Sequence, residues 1–331
     1  MRAAAITFAE QVSELVKKGQ SWDLIFCSDM LSLAEFCGLC PELAGGIAKV
    51  AYFHENQLTY PVRFESERDY QFVMTNMTTA LAADEVWFNS VYHRDSFLEE
   101  LIKFLKRMPD FQPVSQAEVI REKSFVYPQG IWPISSPDSR RPGPMRILWA
   151  GRWEHDKNPE DFFGAVKILE ERGVDFELSV IGESFRDAPE IFGWAKKHFD
   201  AKILDWGFQK SREDYEKVLG DCDVIVSTAN HEFFGIGVVE AVSAGCWPIL
   251  PERLAYPEVF GLNEAEENKE FFYDGSVEGL ADKLQWAAGE LENDNRCRRQ
   301  KCRDIVKRFY WPRLAGAIDE GLEKTAKIQK R

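Results

Sequence analysis

Short apolar runs alternate with segments of helical periodicity over the first part of the chain. Residues 69–83 predict one helix, and Ser90 predicts the cap of another helix that extends to Lys106. The apolar runs have the length of parallel strands that are buried on both faces, and they lie at residues 22–28, 49–53 and 85–89. This alternation predicts an α/β domain built on a parallel sheet.

The beginning of the chain departs from this pattern. Residues 1–20 predict a helix with no glycine before Gly19. A doubly wound domain is expected to open with a strand that leads into a glycine-rich turn. We therefore expect the N-terminal domain to lack its first strand or strands in this chain.

A second α/β series follows a segment rich in proline. Residues 127–144 contain five prolines and two glycines without periodicity, which predicts a linker. The strands of the second series are predicted at 146–151, 176–182 and 223–229, with helices at 159–172 and 191–199. Two Rossmann-like domains of this kind bind ligands at the carboxyl ends of their strands, and we expect a cleft between them.

The predicted domain boundaries follow from these patterns. Residues 1–138 form the N-terminal domain, and residues 139–305 form the C-terminal domain. Residues 306–331 are predicted to pack back toward the N-terminal domain as a C-terminal helix. An amphipathic pattern over 304–327 predicts one continuous helix, which the proline of Trp-Pro-Arg at 311–313 should bend.

Charge and composition narrow the classes of protein. The formal net charge is −14 and the sequence pI is about 5.0, so the overall field repels nucleic acids and anionic membranes. No apolar stretch reaches the roughly 20 residues of a membrane helix, and Glu10 interrupts the start before a signal-peptide core forms. Together with seven irregularly spaced cysteines, which suit reduced thiols, these features predict a cytoplasmic protein.

Two local clusters each allow a functional interpretation and a purely structural one. Cys37 and Cys40 form one CxxC pair, but no second pair or histidine stands at a zinc-ligand spacing, so no metal site is predicted. The basic stretch at residues 296–308 could meet a polyanion, although the solvated face of a late helix explains it more simply.

The segment at residues 227–251 carries the clearest chemical pattern. A strand ends at Ala229, Glu232 lies in the following loop, and Glu240 lies on the next helix. Backbone N–H groups at 234–237 would then stand at a helix N-terminus, where phosphate or sugar oxygens bind well. The two carboxylates can accept hydrogen bonds from hydroxyl groups of one extended ligand, a hexose and a ribose. Taken alone, the pair is explained more simply as an ordinary loop acid and an ordinary helix acid.

A second segment, residues 150–159, places two cations in one loop after a predicted strand. Arg152 and Lys157 precede a helix that Pro159 is predicted to open. Paired cations stabilise the charge that develops on a diphosphate leaving group. A solvated loop would also explain these charges, but not their position at the mouth of a nucleotide-type fold.

These residues resemble those of the retaining glycosyltransferases of family 4, which have two glutamates eight positions apart and the GT-B fold of two Rossmann-like domains facing across a cleft. The resemblance implies that Arg152 and Lys157 bind the donor diphosphate, that Glu232 contacts the hexose, and that Glu240 binds the ribose. The implied donor-binding set is Gly151, Arg152, Lys157, Gly182, Glu183, Phe234, Gly235, Ile236 and Glu240.

A narrower resemblance covers most of residues 24–130. The blocks FCSDMLSLAEF, KVAYFHENQLTYPV, ERDYQF and ADEVWFNSVYHRDSFL are similar to those of the tRNA-queuosine α-mannosyltransferase family. That family transfers mannose from GDP-mannose to the cyclopentenediol of queuosine in the anticodon of an aspartate tRNA. The resemblance implies GDP-mannose as the donor and tRNA as a partner, with no metal and no tightly bound cofactor. The family's upstream strand and glycine-rich turn are absent from this sequence.

The first domain supplies candidate residues for the acceptor side. His54 corresponds in the resemblance to the histidine that approaches the donor sugar, so the implied catalytic set is Glu232, His54, Arg152 and Lys157. The acceptor-side candidates are Glu55, Asn56, Asn89 and His93. Two alternatives remain open: the same chemistry on a lipid or glycan acceptor, and a homologue that binds nucleotide sugar or tRNA without catalysis.

Overall fold

Two parallel sheets organise the chain. A computed structural model describes residues 3–60, 69–139, 141–185, 187–291 and 295–328, without the side chains of residues 295, 296 and 328. Contacts divide the chain into a first unit, Met1–Gln129 with Leu314–Arg331, and a second unit, Gly130–Arg313. Each unit has its own sheet.

The sheet of the first unit has four strands in the order β1-β2-β3-β4, all parallel. The three strands and the helices predicted over this part of the sequence are confirmed. The elements are α1 (Ala4–Lys17), β1 (Leu24–Ser28), α2 (Leu33–Leu39), α3 (Pro41–Ala44), β2 (Ala48–Phe53), α4 (Tyr70–Ala82), β3 (Glu85–Phe88), α5 (Val91–Leu105), α6 (Gln116–Glu122) and β4 (Ser124–Val126).

Burial and capping explain why these residues form these elements. Every residue of β2 and β3 is buried, as expected for central strands covered on both faces. The Ser90 hydroxyl accepts a hydrogen bond from the backbone N–H of His93 at 3.0 Å, which confirms the predicted cap of α5. Parts of two family-like blocks, at residues 61–62 and 67–68, lie outside the described residues.

The sheet of the second unit has six strands in the order β10-β9-β8-β5-β6-β7. Its predicted strands are confirmed, although β8 is shorter than the apolar run that predicted it. The elements are β5 (Met145–Ala150), α7 (Pro159–Glu171), β6 (Phe176–Ile181), α8 (Ile191–His198), β7 (Ile203–Gly207), α9 (Arg212–Asp221), β8 (Val224–Val226), α10 (Ile236–Ser243), β9 (Trp247–Pro251), α11 (Tyr256–Val259), β10 (Phe272–Tyr273), α12 (Val277–Glu290) and α13 (Asn295–Val306).

The proline-rich segment is not an unattached linker. Its residues from Gly130 onward belong to the second unit. The backbone N–H of Ile134 donates to the Ser243 hydroxyl at 3.3 Å, and Ile131 forms a parallel bridge with Tyr310. The segment is therefore bound along the body of the second unit.

The prediction of one bent helix over residues 304–327 is wrong. Helix α13 ends at Val306, a short 3₁₀ turn covers Lys307–Phe309, and a new helix, α14 (Trp311–Ile328), begins beyond Tyr310. Pro312 lies in the first turn of α14, where its missing N–H has no helical partner to lose. The proline therefore helps a helix to start instead of bending one.

Helix α14 returns the chain to the first unit. Its residues Ile318 and Leu322 pack against Val50, Tyr52 and Trp87 of the first sheet. Without α14, this face of the sheet would meet water. Among the described helices, none combines the length and the apolar character that crossing a bilayer requires.

Candidate functional site

A pocket of about 690 Å³ opens at the carboxyl ends of the strands of the second unit. This is the edge at which open α/β sheets bind their ligands. The pocket brings together the sequence-predicted residues Gly151, Arg152, Lys157, Gly182, Glu183, Glu232, Gly235, Ile236 and Glu240. All of them except Glu240, which lies in the middle of α10, come from loops or helix starts that follow a strand.

Lys157 lies at the end of a 3₁₀ turn after β5, and its side chain is held by three acceptors. Its Nζ donates to the carbonyl oxygen of His231 at 2.9 Å and lies 3.1 Å from Asp156 Oδ2 and 3.4 Å from Glu232 Oε2. Burial lowers the pKa of Lys157, but the two carboxylates outweigh burial and leave that pKa raised. Lys157 therefore stays charged in the wall of the pocket.

Arg152 is the second cation of this loop. Its guanidinium lies 3.5 Å from Glu154 Oε2 and is 43% exposed, in contrast to the 15% exposure of the Lys157 side chain. Burial raises the pKa of Glu154, and the Arg152 charge opposes that rise. The loop thus offers one largely buried cation and one more exposed cation to the pocket.

The backbone approaches itself closely at the rear of the pocket. Gly182 follows β6 with φ +150°, a conformation that side chains rarely adopt, and a Cβ there would overlap the carbonyl oxygen of Gly151. Gly182 and Gly151 therefore keep this wall of the pocket as bare main chain. Glu183 follows on the same wall.

Glu232 is oriented by donors on both of its oxygens. Oε1 accepts from the backbone N–H of Phe233 at 3.1 Å, and Oε2 faces the Lys157 ammonium at 3.4 Å. Gly235, with φ +81°, then turns the chain into α10, and a Cβ there would come within 2.8 Å of the Tyr256 ring. This turn brings the N-terminus of α10 to the pocket.

Phe234 differs from the other residues of its predicted set. Its side chain is buried against Phe309, with ring centroids 5.1 Å apart, and does not line the pocket. Its backbone N–H points toward Glu232 Oε1 at 3.5 Å. The residues of this helix start that reach the pocket are Gly235, Ile236, Gly237 and Val238.

Glu240 is held by two side chains that the sequence did not single out. Its Oε1 lies 2.8 Å from Arg212 Nη1, and its Oε2 accepts from the Tyr215 hydroxyl at 2.9 Å. Both belong to α9, and residues 208–212 also line the pocket. The Ser-x-x-Asp pattern of Ser211 and Asp214 is a capping signal that could have placed this helix.

In the first unit, the predicted acceptor-side residues lie around the carboxyl ends of β2 and β3. His54 is exposed, whereas Asn56, Asn89 and His93 are buried. Asn89 Nδ2 donates to the His54 carbonyl at 3.0 Å, and Asn89 Oδ1 lies 2.9 Å from His93 Nδ1. Buried Asn89 and His93 therefore support the loop that carries His54. Glu55 is half-buried in that loop.

Asp29 is a member of this group that the sequence reasoning missed. It directly follows β1, is 2% exposed, and accepts from the backbone N–H of His54 at 3.0 Å. Burial raises the pKa of Asp29 to about 7. Its position immediately after a predicted strand was the signal that could have identified it.

The basic stretch is bound within the second unit. Arg299 is 3% exposed and donates to the carbonyl oxygens of Pro137, Gly220, Cys222 and Ala244. Other cations of the stretch face carboxylates: Arg298 with Glu290, Lys301 with Glu267, Arg303 with Asp138, Lys307 with Asp304 and Arg308 with Glu264. The side chain of Arg296 lies outside the described residues. The structural interpretation, in which the basic stretch belongs to a helix face, therefore fits these residues better than a binding site for a polyanion.

Cys37 and Cys40 do not belong to a metal-binding group. Within the described ranges, no three histidine, cysteine or acidic residues are grouped closely enough to hold an ion. Cys40 is buried, and its Sγ donates to the carbonyl oxygen of Ala9 at 3.6 Å. These thiols are part of the packing of the first unit.

Comparisons with known families match both units. Residues 1–131 match the family described as tRNA-queuosine alpha-mannosyltransferase N-terminal, and residues 134–303 match the family described as glycosyl transferases group 1. A tRNA-queuosine alpha-mannosyltransferase of Drosophila melanogaster is 38% identical over 78% of this chain and 70% of its own length. A GDP-mannose:cellobiosyl-diphosphopolyprenol alpha-mannosyltransferase of Xanthomonas oryzae is 25% identical over 53% of this chain and 46% of its own length.

Solved structures agree in fold. Anabaena HepE in complex with UDP has a TM-score of 0.69 at 15% identity, covering 95% of this chain and 82% of that chain. A glycosyltransferase from Rickettsia africae has a TM-score of 0.70 at 16% identity, covering 98% and 82%. With the family matches, this likeness shows the GT-B fold of glycosyltransferases. The chain belongs to the tRNA-queuosine alpha-mannosyltransferase family.

Proposed function

We propose that this chain is a retaining glycosyltransferase that moves mannose from GDP-mannose to queuosine in the anticodon of an aspartate tRNA. The observation that carries the proposal is the pocket of the second unit, where Lys157, Glu232 and Glu240 line one cavity. The Drosophila relative, at 38% identity, supports the sugar and the acceptor. A tRNA acceptor supports a cytoplasmic location as part of this proposal.

The donor is proposed to lie along this cavity. Arg152, Lys157 and the start of α10 at Gly235 and Ile236 hold the diphosphate, because a cation pair and a helix N-terminus both favour anionic oxygens. Gly151 and Gly182 let the phosphates approach the main chain. Structural neighbours that bind UDP support a nucleotide in this fold.

The two glutamates are proposed to read hydroxyl groups at opposite ends of the donor. Glu232 contacts the hexose, and Glu240 contacts the ribose. Each carboxylate is already fixed by neighbouring donors, Lys157 for Glu232 and Tyr215 for Glu240. A fixed carboxylate loses little conformational freedom when the hydroxyl groups arrive.

The transfer step then needs no protein nucleophile. The acceptor hydroxyl attacks the anomeric carbon from the face on which the diphosphate leaves, so the new C–O bond forms as the bond to the phosphate oxygen breaks. The acceptor proton passes to that leaving oxygen. Arg152 and Lys157 stabilise the charge that develops on the diphosphate, which is the largest contribution the site supplies.

The first unit is proposed to carry the acceptor-side residues. His54 and Glu55 are the candidates for contact with the sugar or the acceptor, since they are more exposed than their neighbours. Asn56, Asn89 and His93 are buried and hold this loop in place.

The decisive experiment is transfer to defined tRNA. The full chain is incubated with GDP-mannose and queuosine-containing aspartate tRNA. The tRNA is then digested to nucleosides, and their masses are measured by mass spectrometry. A gain of one hexose on queuosine is expected, and tRNA with guanosine at that position should gain none. UDP-glucose and ADP-glucose serve as control donors, and a faster reaction with either would refute GDP-mannose.

Two variants test the assignment of the site. Lys157→Ala and Glu232→Ala are each expected to lower kcat by about a hundredfold or more. Lys167→Ala is the matched control, because Lys167 pairs with Glu171 on an exposed helix face. Transfer to a lipid-linked glycan instead of tRNA would favour the activity named for the Xanthomonas relative, and GDP binding without any transfer would favour a non-catalytic protein.

A further inference from the structure

The carboxyl ends of four parallel strands come together around one residue, His54, which follows β2. Asp29, after β1, accepts from the His54 backbone N–H at 3.0 Å. Asn89, after β3, donates to the His54 carbonyl at 3.0 Å. Gln129, three residues beyond β4, places its amide nitrogen 2.8 Å from His54 Nδ1. The backbone and the ring of His54 are thus fixed from three neighbouring strand ends.

Packing fixes the plane of the ring as well. The Tyr52 ring lies 4.6 Å from the imidazole, centroid to centroid. The Tyr52 hydroxyl donates to the Tyr127 carbonyl oxygen at 2.7 Å, close to Gln129 in the chain. The same few contacts therefore hold the imidazole and the segment that supplies its hydrogen-bond partner.

The contact with Gln129 favours one of the two neutral tautomers of the His54 ring. An amide nitrogen only donates, so Nδ1 of His54 must accept. A neutral imidazole that accepts at Nδ1 has its hydrogen on Nε2. Nε2 is then a hydrogen-bond donor on an exposed ring.

We propose that Gln129 is a positioning residue that keeps His54 neutral as the Nε2–H tautomer, so that His54 donates a hydrogen bond to a ligand hydroxyl and does not act as a general base. The functional part rests on the proposed function, whereas the tautomer rests on the geometry alone. Partial burial also lowers the pKa of His54, which agrees with a neutral ring. The acids of the surrounding loops are Asp29, which burial shifts toward its neutral form, and Glu55.

The tautomer is tested by nitrogen NMR on the full chain labelled with ¹⁵N in its five histidines. The His54 signals are identified by their loss in His54→Ala. Nδ1 is expected to show the shift of an unprotonated nitrogen and Nε2 that of a protonated one. A proton on Nδ1, or signals averaged between the two tautomers, would overturn the proposal.

Variants of Gln129 separate positioning from general damage. Gln129→Glu is expected to place a proton on Nδ1, in the Nδ1–H tautomer or in the imidazolium, because a carboxylate accepts a hydrogen bond and favours the charged ring. Gln129→Ala should let the tautomers average. Gln112→Ala is the control, since its amide donates to the carbonyl oxygens of Lys106 and Met108, away from His54. The control should leave the His54 signals unchanged.

Turnover completes the test. Both Gln129 variants are expected to lower kcat at least tenfold while the KM for each substrate changes less than threefold. Unchanged turnover in Gln129→Glu, with a proton on its His54 Nδ1, would overturn the positioning role. If His54→Ala itself transfers at the native rate, the proposed function of His54 fails, while the NMR result on the tautomer stands independently.

Discussion

The hydroxyl group of Tyr215 donates a hydrogen bond of 2.9 Å to Glu240 Oε2 inside the pocket of the second unit. Burial raises the pKa of Tyr215, and the Glu240 charge adds to the rise, so the phenol keeps its proton and remains a donor. Arg212 holds the other oxygen of the same carboxylate. The proposed ribose contact is therefore oriented by helix α9.

Removing this hydroxyl should weaken nucleotide binding. Tyr215→Phe is expected to lower the affinity for GDP by about three- to tenfold. The effect is smaller than that of a direct hydrogen bond to a charged group, because Tyr215 acts on the nucleotide only by orienting Glu240. Isothermal titration calorimetry measures the change. Tyr310→Phe is the control, because it removes a hydroxyl that contacts Ser243 in the same unit but outside the pocket. Equal losses in both variants would contradict the role of Tyr215.

Gly182→Ala should damage the pocket through the main chain. The added Cβ would overlap the Gly151 carbonyl oxygen at an unfavourable φ, so we expect a loss of roughly 2–4 kcal/mol in the free energy of unfolding, together with loss of GDP binding. Gly173→Ala shares a positive φ but has open space around its Cβ, and should lose only about 1 kcal/mol. Denaturant unfolding compares them, and equal losses would refute the overlap.

The buried guanidinium of Arg299 should be required for folding. Arg299→Ala leaves several buried carbonyl oxygens without a donor, and we expect a loss of at least about 3 kcal/mol in unfolding free energy. Lys307→Ala, which removes a surface ion pair with Asp304, should change that energy by less than about 0.5 kcal/mol. A similar thermal shift for both variants would show that Arg299 is not structural.

Asp29 should make stability depend on pH. Its pKa is about 7 in the folded chain, above the ordinary carboxyl value. Between about pH 4 and pH 7 the folded state therefore keeps a proton on Asp29 that the unfolded state has already released. The protonated Asp29 contributes up to about 4 kcal/mol to the free energy of unfolding at low pH. This contribution falls as the pH rises above about 4 and is lost once the pH has passed through 7. Asp29→Asn, which keeps an acceptor for His54, should gain stability relative to the native chain between pH 5 and pH 8. Calorimetry that shows parallel pH curves would disprove this.

The periodic features of the sequence were enough to predict two parallel sheets and six of the ten strands in the described residues, but not β4, β7, β9 and β10. Buried strands such as 49–53 and 146–151 carry continuous apolar runs, and the caps at Ser90 and Pro159 mark helix starts, because these signals are local. The break between α13 and α14 was not predictable in the same way. Pro312 is compatible with a bent helix and with a new first turn, and only the packing of α14 on Trp87 decides between them.

The site was predictable where residues follow strands and carry charge, as Arg152, Lys157 and Glu232 do. Arg212 and Tyr215 were not, since each lies 25 or more positions before Glu240 in the chain and no spacing reveals their contact with it. In the basic stretch, by contrast, the sequence pattern suggested a site that the structure does not support. Its composition is that of an anion site, yet burial of Arg299 among carbonyl groups depends on the tertiary fold.

The return of α14 makes the first unit discontinuous in sequence. A fragment that ends at Gln129 would contain every strand of the first sheet but would leave Val50, Tyr52 and Trp87 uncovered. Such a fragment is expected to aggregate through this apolar surface. Supplying residues 311–328 as a separate peptide should restore its solubility, since the missing cover is a single amphipathic helix.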